Sequence, residues 1–161
     1  MGDKGNTCKE IERKFQVTGE YLKWAVSSHD IAQGYISNDP ARTVRIRVVD
    51  KKGFLNIKGE TLRGGISRFE WEKEIDYEEA MQLIGLCKGH IIEKTRYLTP
   101  YNGHTFEVDQ FHGENEGLVI AEIELSDENE SFEKPEWLGI EVSHESKYYN
   151  SELSVTPFSQ W

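Results

Sequence analysis

The sequence predicts an α+β fold, a closed eight-stranded antiparallel β-barrel with a few flanking helices, and three observations carry that prediction. Stretch after stretch alternates apolar and ionisable residues with a period of two, the repeat that sends successive strand side chains to opposite faces. Few stretches have helical spacing, too few to cover the apolar faces of an open sheet. The charged faces carry cations and anions together, and a closed barrel can turn them onto one shared polar interior without leaving exposed edges. For any single strand the alternative is a solvated charged face.

The elements follow in chain order. Residues 8–17 (CKEIERKFQV) place Cys8, Glu10, Glu12 and Lys14 on one face of a strand and Ile11, Phe15 and Val17 on the other. Same-face neighbours lie roughly 6–7 Å apart, twice the strand rise. Two carboxylates and an ammonium at that spacing suit a site that holds a hard divalent cation beside a polyanion. A soft thiolate at Cys8 adds nothing to such a site. Between Gly19 and Ser28 the spacings Leu22/Val26 and Tyr21/Trp24 predict a short helix. Residues 31–37 read as a strand, closed by Asn38-Asp39-Pro40. In 43–50, Val44, Ile46 and Val48 oppose Arg45 and Arg47. Lys51-Lys52-Gly53 reads as the hairpin turn into 54–60, where Leu55 and Ile57 oppose Asn56 and Lys58.

A glycine-containing connection leads to 66–75, whose Arg68, Glu70, Glu72 and Glu74 oppose Phe69, Trp71 and Ile75. Asp76, with Glu79 completing a capping box, starts a helix over 77–87 that covers part of the sheet through Tyr77, Ala80, Met81 and Ile84. Residues 90–100 set Lys94 and Arg96 against Glu93, Thr95 and Tyr97, and Pro100, Asn102 and Gly103 make the next turn. Residues 104–111 set Glu107 and Asp109 against Phe106 and Val108. In 118–125, Glu122 and Glu124 oppose Ala121, Ile123 and Leu125. Periodicity weakens beyond that point, where Pro135 starts a helical turn and 140–143 form a short strand.

The bulk composition narrows the function classes. A chain of 161 residues, 37% hydrophobic and 30% charged, is expected to form one globular domain over 1–161, with residues 1–7 flexible. No run approaches the ~20 apolar residues of a membrane span, and the polar start lacks a secretory segment. A myristoylation signal fails where Asn6 replaces Ser or Thr. Two cysteines without a CxxC pair fit a cytoplasmic location. The five histidines (29, 90, 104, 112 and 144) show no paired metal spacing and read as surface or loop residues. A net charge of −10 argues against a nucleic-acid binder, yet leaves room for phosphate binding in an enclosed site. An interior holding so many charges must be wet, cross-paired and loaded with ions or ligand, and a polyphosphate with a divalent metal supplies both signs.

The run Glu10-Ile11-Glu12-Arg13-Lys14 resembles the ExExK signature of the CYTH superfamily, the triphosphate tunnel metalloenzymes. It is followed in order by QGY at 33–35, TVRIR at 43–47, IKG at 57–59, SRFEWE at 67–72, EKTRY at 93–97, FEVDQFHG at 106–113, AEIEL at 121–125 and WLGIEV at 137–142. The resemblance covers nearly the whole chain and is to the short, single-domain bacterial type. It implies a tunnel-shaped barrel and Mg2+- or Mn2+-dependent hydrolysis of inorganic triphosphate to pyrophosphate and phosphate. It assigns Glu10, Glu12 and Glu124 as metal ligands with Glu122 a second candidate, and Lys14, Arg45, Arg47, Lys58, Lys94 and Arg96 as phosphate-binding. Lys94 and Tyr35 take the handling of the attacking water. Lys147, before Tyr148, stands where relatives often carry arginine, so it can meet phosphate as a point charge but not as a fork. A homodimer is a family-level expectation. Within the family the alternatives are a class IV-like adenylate cyclase, a thiamine triphosphatase and a general nucleoside triphosphatase; outside enzymes, a polyphosphate- or nucleotide-binding module.

Overall fold

A computed structural model describes residues 9–62 and 65–161; the expected flexibility of 1–7, the placing of Cys8 and part of the glycine connection lie outside the described residues. The alternating stretches form strands because each can bury one face while ladder bonds satisfy its backbone. They are β1 (Lys9–Val17), β2 (Ser27–Ser37), β3 (Arg42–Val49), β4 (Lys52–Thr61), β5 (Ser67–Ile75), β6 (Lys88–Tyr101), β7 (His104–Phe111), β8 (Val119–Glu124) and β9 (Leu138–Glu141), with helices α1 (Tyr77–Ile84) and α2 (Asn150–Leu153). The ring runs β5-β4-β3-β2-β6-β7-β8-β1, antiparallel throughout. It closes where Lys9, Glu10 and Ile11 of β1 pair with Phe69, Arg68 and Ser67 of β5. The closed eight-stranded barrel is therefore formed, and β9 adds a ninth strand outside it on β1.

Two apolar clusters cover the outside. Helix α1 lies over β2, β3 and β4, where Ala80 packs with Ile46 and Val48. The approach is so close that a Cβ on Gly53 would stand 2.4 Å from that of Ala80, so only glycine fits there. On the far side Ile11, Phe15, Phe106, Val108, Ala121 and Ile123 are roofed by Tyr21, Phe132 and Trp137 from the connecting segments.

A third cluster lies inside the ring. Ile92 shares its strand face with Lys94, Phe111 stands opposite Lys94, and Ile120 opposite Asp109, so all three point the same way as the charged residues. They meet Val142, Tyr148 and Leu153 from the C-terminal segment and form an apolar floor. The interior is thus layered, charged above and apolar below. The sequence reading, which filled the interior with charge, missed the floor.

Other departures have local causes. The helix expected in 19–28 is one 3-10 turn, Leu22–Trp24, with Leu22, Trp24 and Val26 exposed. That segment crosses the barrel exterior, anchored by Tyr21, and is too short to nucleate a helix. Helix α1 stops at Ile84 rather than 87, and Asp76 caps it by accepting the Glu78 N–H at 3.2 Å, with Met81 turned to solvent. The β3–β4 turn centres on Asp50 and Lys51, Asp50 at φ 56°, so Lys52 and Gly53 already belong to β4. The short strand expected at 140–143 begins earlier, at Leu138. Phe69 and Trp71 remain 50% and 36% exposed because α1 does not reach over β5. No helix among the described residues is long and apolar enough to cross a membrane.

Candidate functional site

The charged layer encloses a cavity of about 250 Å³. Period-two strands deliver its walls: Glu10, Glu12 and Lys14 from β1, Tyr35 from β2, Arg45 and Arg47 from β3, Lys58 from β4, Arg96 from β6, and Glu122 and Glu124 from β8. Each was a site residue in the sequence reading. Arg68, Glu70, Glu72 and Glu107, read only as interior charges, line it too, joined by Thr43 and Asn56. Asn56 shares its face with Lys58, so that signal was legible.

The ring order sorts the signs. In an eight-membered ring β3 stands four places from β8, so Arg45 and Arg47 face the wall carrying Glu122 and Glu124. β1, β7 and β8 together supply Glu10, Glu12, Glu107, Glu122 and Glu124 along with Lys14, while β3, β4 and β6 supply Arg45, Arg47, Lys58 and Arg96, and β5 brings Arg68, Glu70 and Glu72. Carboxylates and cations thus face one another around one narrow space, with both signs on β1 and β5.

Ion pairs between strands hold the lining in shape. Lys14 Nζ lies 2.6 Å from Glu122 and 3.3 Å from Glu12; Lys58 Nζ lies 2.7 Å from Glu10 and 3.3 Å from Glu70. Arg96 forks onto Asp109 at 2.7 and 2.9 Å and also reaches Glu107 and Glu122. Arg47 donates its Nε–H to Gln33 Oε1 at 2.9 Å, which leaves the rest of its guanidinium unspent. Burial beside Arg45 and Arg96 brings Arg47 down to about 10, still charged at neutral pH. Burial and Glu12 push the Glu122 carboxyl up, but Lys14 and Arg96 outweigh them and hold it at about 2. Burial works against charge on Lys14, yet Glu122 and Glu12 raise it above its ordinary value.

One observation suits a hard cation. Burial and the charges of Glu10, Glu107 and Glu12 raise the Glu124 carboxyl, the mark of crowded anions that a divalent cation would relieve. Among the described residues no three carboxylates converge on one point, since Lys14 and Lys58 draw Glu12, Glu122 and Glu10 aside.

Two expected residues are placed elsewhere. Lys94 is 1% exposed and does not line the cavity; its ammonium meets Asp109 Oδ2 at 2.8 Å, Asn150 Oδ1 at 3.2 Å and the Phe111 ring at 5.4 Å, on the boundary between charged layer and floor. Burial lowers its pKa to about 7 although Asp109 pulls the other way. Lys147 is not brought to the cavity at all. Its ammonium lies over the rings of Trp161 at 4.5 Å and Tyr148 at 5.3 Å, where cation–π attraction holds it on the outer side of the C-terminal turn. The neighbouring segment contributes instead: Ser143, Tyr149, Asn150 and Ser151 line the cavity. The sequence carried no signal for these four, because the tail lacks periodicity.

A closed antiparallel barrel whose lumen sets carboxylates against guanidinium and ammonium groups defines a charged-tunnel protein. The chain belongs to the CYTH domain family, whose model matches residues 8–158. It is 48% identical over 154 residues to an inorganic triphosphatase of Acetivibrio thermocellus, covering 95% of this chain and 97% of that protein. It is 32% identical over 152 residues to an inorganic triphosphatase of Nitrosomonas europaea, covering 91% and 97%. It also superposes on a crystal structure of an inorganic triphosphatase with a TM-score of 0.66 at 30% identity, covering 91% of this chain and 94% of that one.

Proposed function

We propose that the chain is a Mg2+- or Mn2+-dependent triphosphatase that hydrolyses inorganic triphosphate to pyrophosphate and phosphate inside the barrel. The convergence of carboxylates and phosphate-binding cations from several strands on one cavity carries this reading. Lys14, Arg45, Arg47, Lys58 and Arg96 come from four strands and can hold successive phosphoryl groups, Arg as forks and Lys as point charges. Glu10, Glu12 and Glu124, with Glu122 beside them, would hold the divalent cation, which when bound neutralises charge on the phosphate oxygens. Water attacks the terminal phosphorus in line; the bridging P–O bond breaks and pyrophosphate leaves with the electron pair. Tyr35 lines the cavity and orients the water, while Lys94, buried just behind the lining and titrating near neutrality, takes up its proton through an intervening water.

The test is product release from inorganic triphosphate, ATP and thiamine triphosphate in parallel, with Mg2+, Mn2+ or chelator, beside Glu12→Gln. Metal-dependent phosphate release from inorganic triphosphate is expected, and Glu12→Gln lowers it by roughly 100-fold or more, the scale of several kcal/mol of transition-state stabilisation. Pyrophosphate and cyclic AMP from ATP would move the assignment to a cyclase. Release favouring thiamine triphosphate or ATP would move the substrate, and phosphate affinity without turnover would leave a binding module.

A further inference from the structure

The tail that closes the floor also touches the proton-handling residue. Val142 donates its backbone N–H to Lys14 O at 2.8 Å, the Lys14 N–H donates to Ser143 Oγ at 2.9 Å, and Gln16 Nε2 donates to Tyr148 Oη at 2.8 Å. Tyr149 Oη then donates to Ser143 O at 2.9 Å, and Leu153 is wholly buried in the floor. These contacts fix the start of α2, and Asn150 sits there with Oδ1 at 3.2 Å from Lys94 Nζ. Asn150 also lines the cavity, whereas Lys94 does not. Asn150 thus touches both the buried ammonium and the lumen.

We infer that Asn150 is a positioning residue, holding the Lys94 side chain between Asp109 and the cavity so that the sealed end of the barrel and the proton acceptor are set by one contact. The inference rests on the role given to Lys94 above. The groups facing Lys94 are Asp109 from β7, Arg96 from its own strand, Glu122 from β8, Arg47 from β3, the Phe111 ring and Asn150. Asp109 already serves Arg96 through both oxygens. A neutral acceptor orients the ammonium without adding the full charge that would keep it protonated. An aspartate at 150 would supply that charge.

The experiment follows Lys94 itself. With 13C-labelled lysine, its side-chain resonance is titrated by NMR in the parent, Asn150→Ala and Asn150→Asp, using Lys94→Arg to identify the signal, and triphosphate hydrolysis is measured across pH in the same proteins. The Lys94 midpoint is expected to rise by about one pH unit or more in Asn150→Asp, through a new opposite charge within hydrogen-bond reach. The rising limb of kcat should move up with it. Asn150→Ala is expected to lose about 10-fold in kcat with KM little changed, and Asn150→Gln to restore part of it, as loss and return of a hydrogen bond to a charged group. An unmoved Lys94 resonance in Asn150→Asp, in a variant that melts like the parent, overturns the inference. A moved resonance with an unmoved pH profile upholds the contact and overturns the role of Lys94.

Discussion

Lys94 combines full burial, an anionic partner and a cationic neighbour, and its pH behaviour follows from which of these wins. Burial comes first and lowers the pKa from 10.5 to about 7. The folded chain therefore binds fewer protons at this group than the unfolded chain between about pH 7 and 10.5, and its contribution to stability grows across that window as pH rises. If the amine accepts the proton of the attacking water, kcat should rise with unit slope through about pH 7 and level above it, and Lys94→Ala should remove the limb; a rate equal to the parent's would end the assignment. Glu122 behaves in the opposite sense. Held at about 2, it stabilises the fold above the ordinary carboxylate range and loses that contribution as pH falls toward 2. Acid titration followed by circular dichroism should show Glu122→Gln less steeply dependent on pH below 4 than the parent.

At the scale of elements, the C-terminal segment does most to turn a tunnel into a cup. Its apolar residues meet Ile92, Phe111 and Ile120 on the inward faces of β6, β7 and β8, and its polar residues join the cavity wall. Leu153→Ala should cost about 2–5 kcal/mol in urea unfolding, the usual loss for a large buried aliphatic side chain. Because the floor carries Asn150, the same variant should also lower kcat. Helix α1, by contrast, covers the outer side of β2, β3 and β4 and contributes no residue to the cavity. Met81→Ala on its exposed face should change stability by less than about 0.5 kcal/mol and leave hydrolysis at the parent's rate.

For the whole molecule the charges set up a linkage between ion binding and folding. A net charge of −10 is concentrated in part on the β1, β7 and β8 wall, where Glu124 is already pushed up by burial and its anionic neighbours. A divalent cation that binds only the folded chain should raise stability by about 2.7 kcal/mol at a concentration 100 times its Kd. Thermal melts with increasing Mg2+ or Mn2+, without triphosphate, should show a rising Tm. Glu124→Gln should weaken the rise, and a Tm indifferent to both metals would count against the carboxylate assignment.

The alternation of apolar and ionisable residues determined, by itself, the strands, because period two is fixed by local backbone geometry, and the shortage of helices to cover their apolar faces pointed to closure. It likewise made Glu10, Glu12, Lys14, Arg45, Arg47, Lys58, Arg96, Glu122 and Glu124 legible as one inward set, and all of them line the cavity. Alternation says which face a residue shares but not what lies at the same height across the ring. Only the tertiary structure decided that Ile92, Phe111 and Ile120 continue the charged faces as an apolar floor, and that Lys94 falls on the boundary between them. It also decided that Lys147 turns to Trp161 while Asn150, from a tail with no period to read, reaches Lys94. Those outcomes depend on contacts between residues far apart in the chain, and each is set by how the last segment packs against a barrel that the earlier strands have already closed.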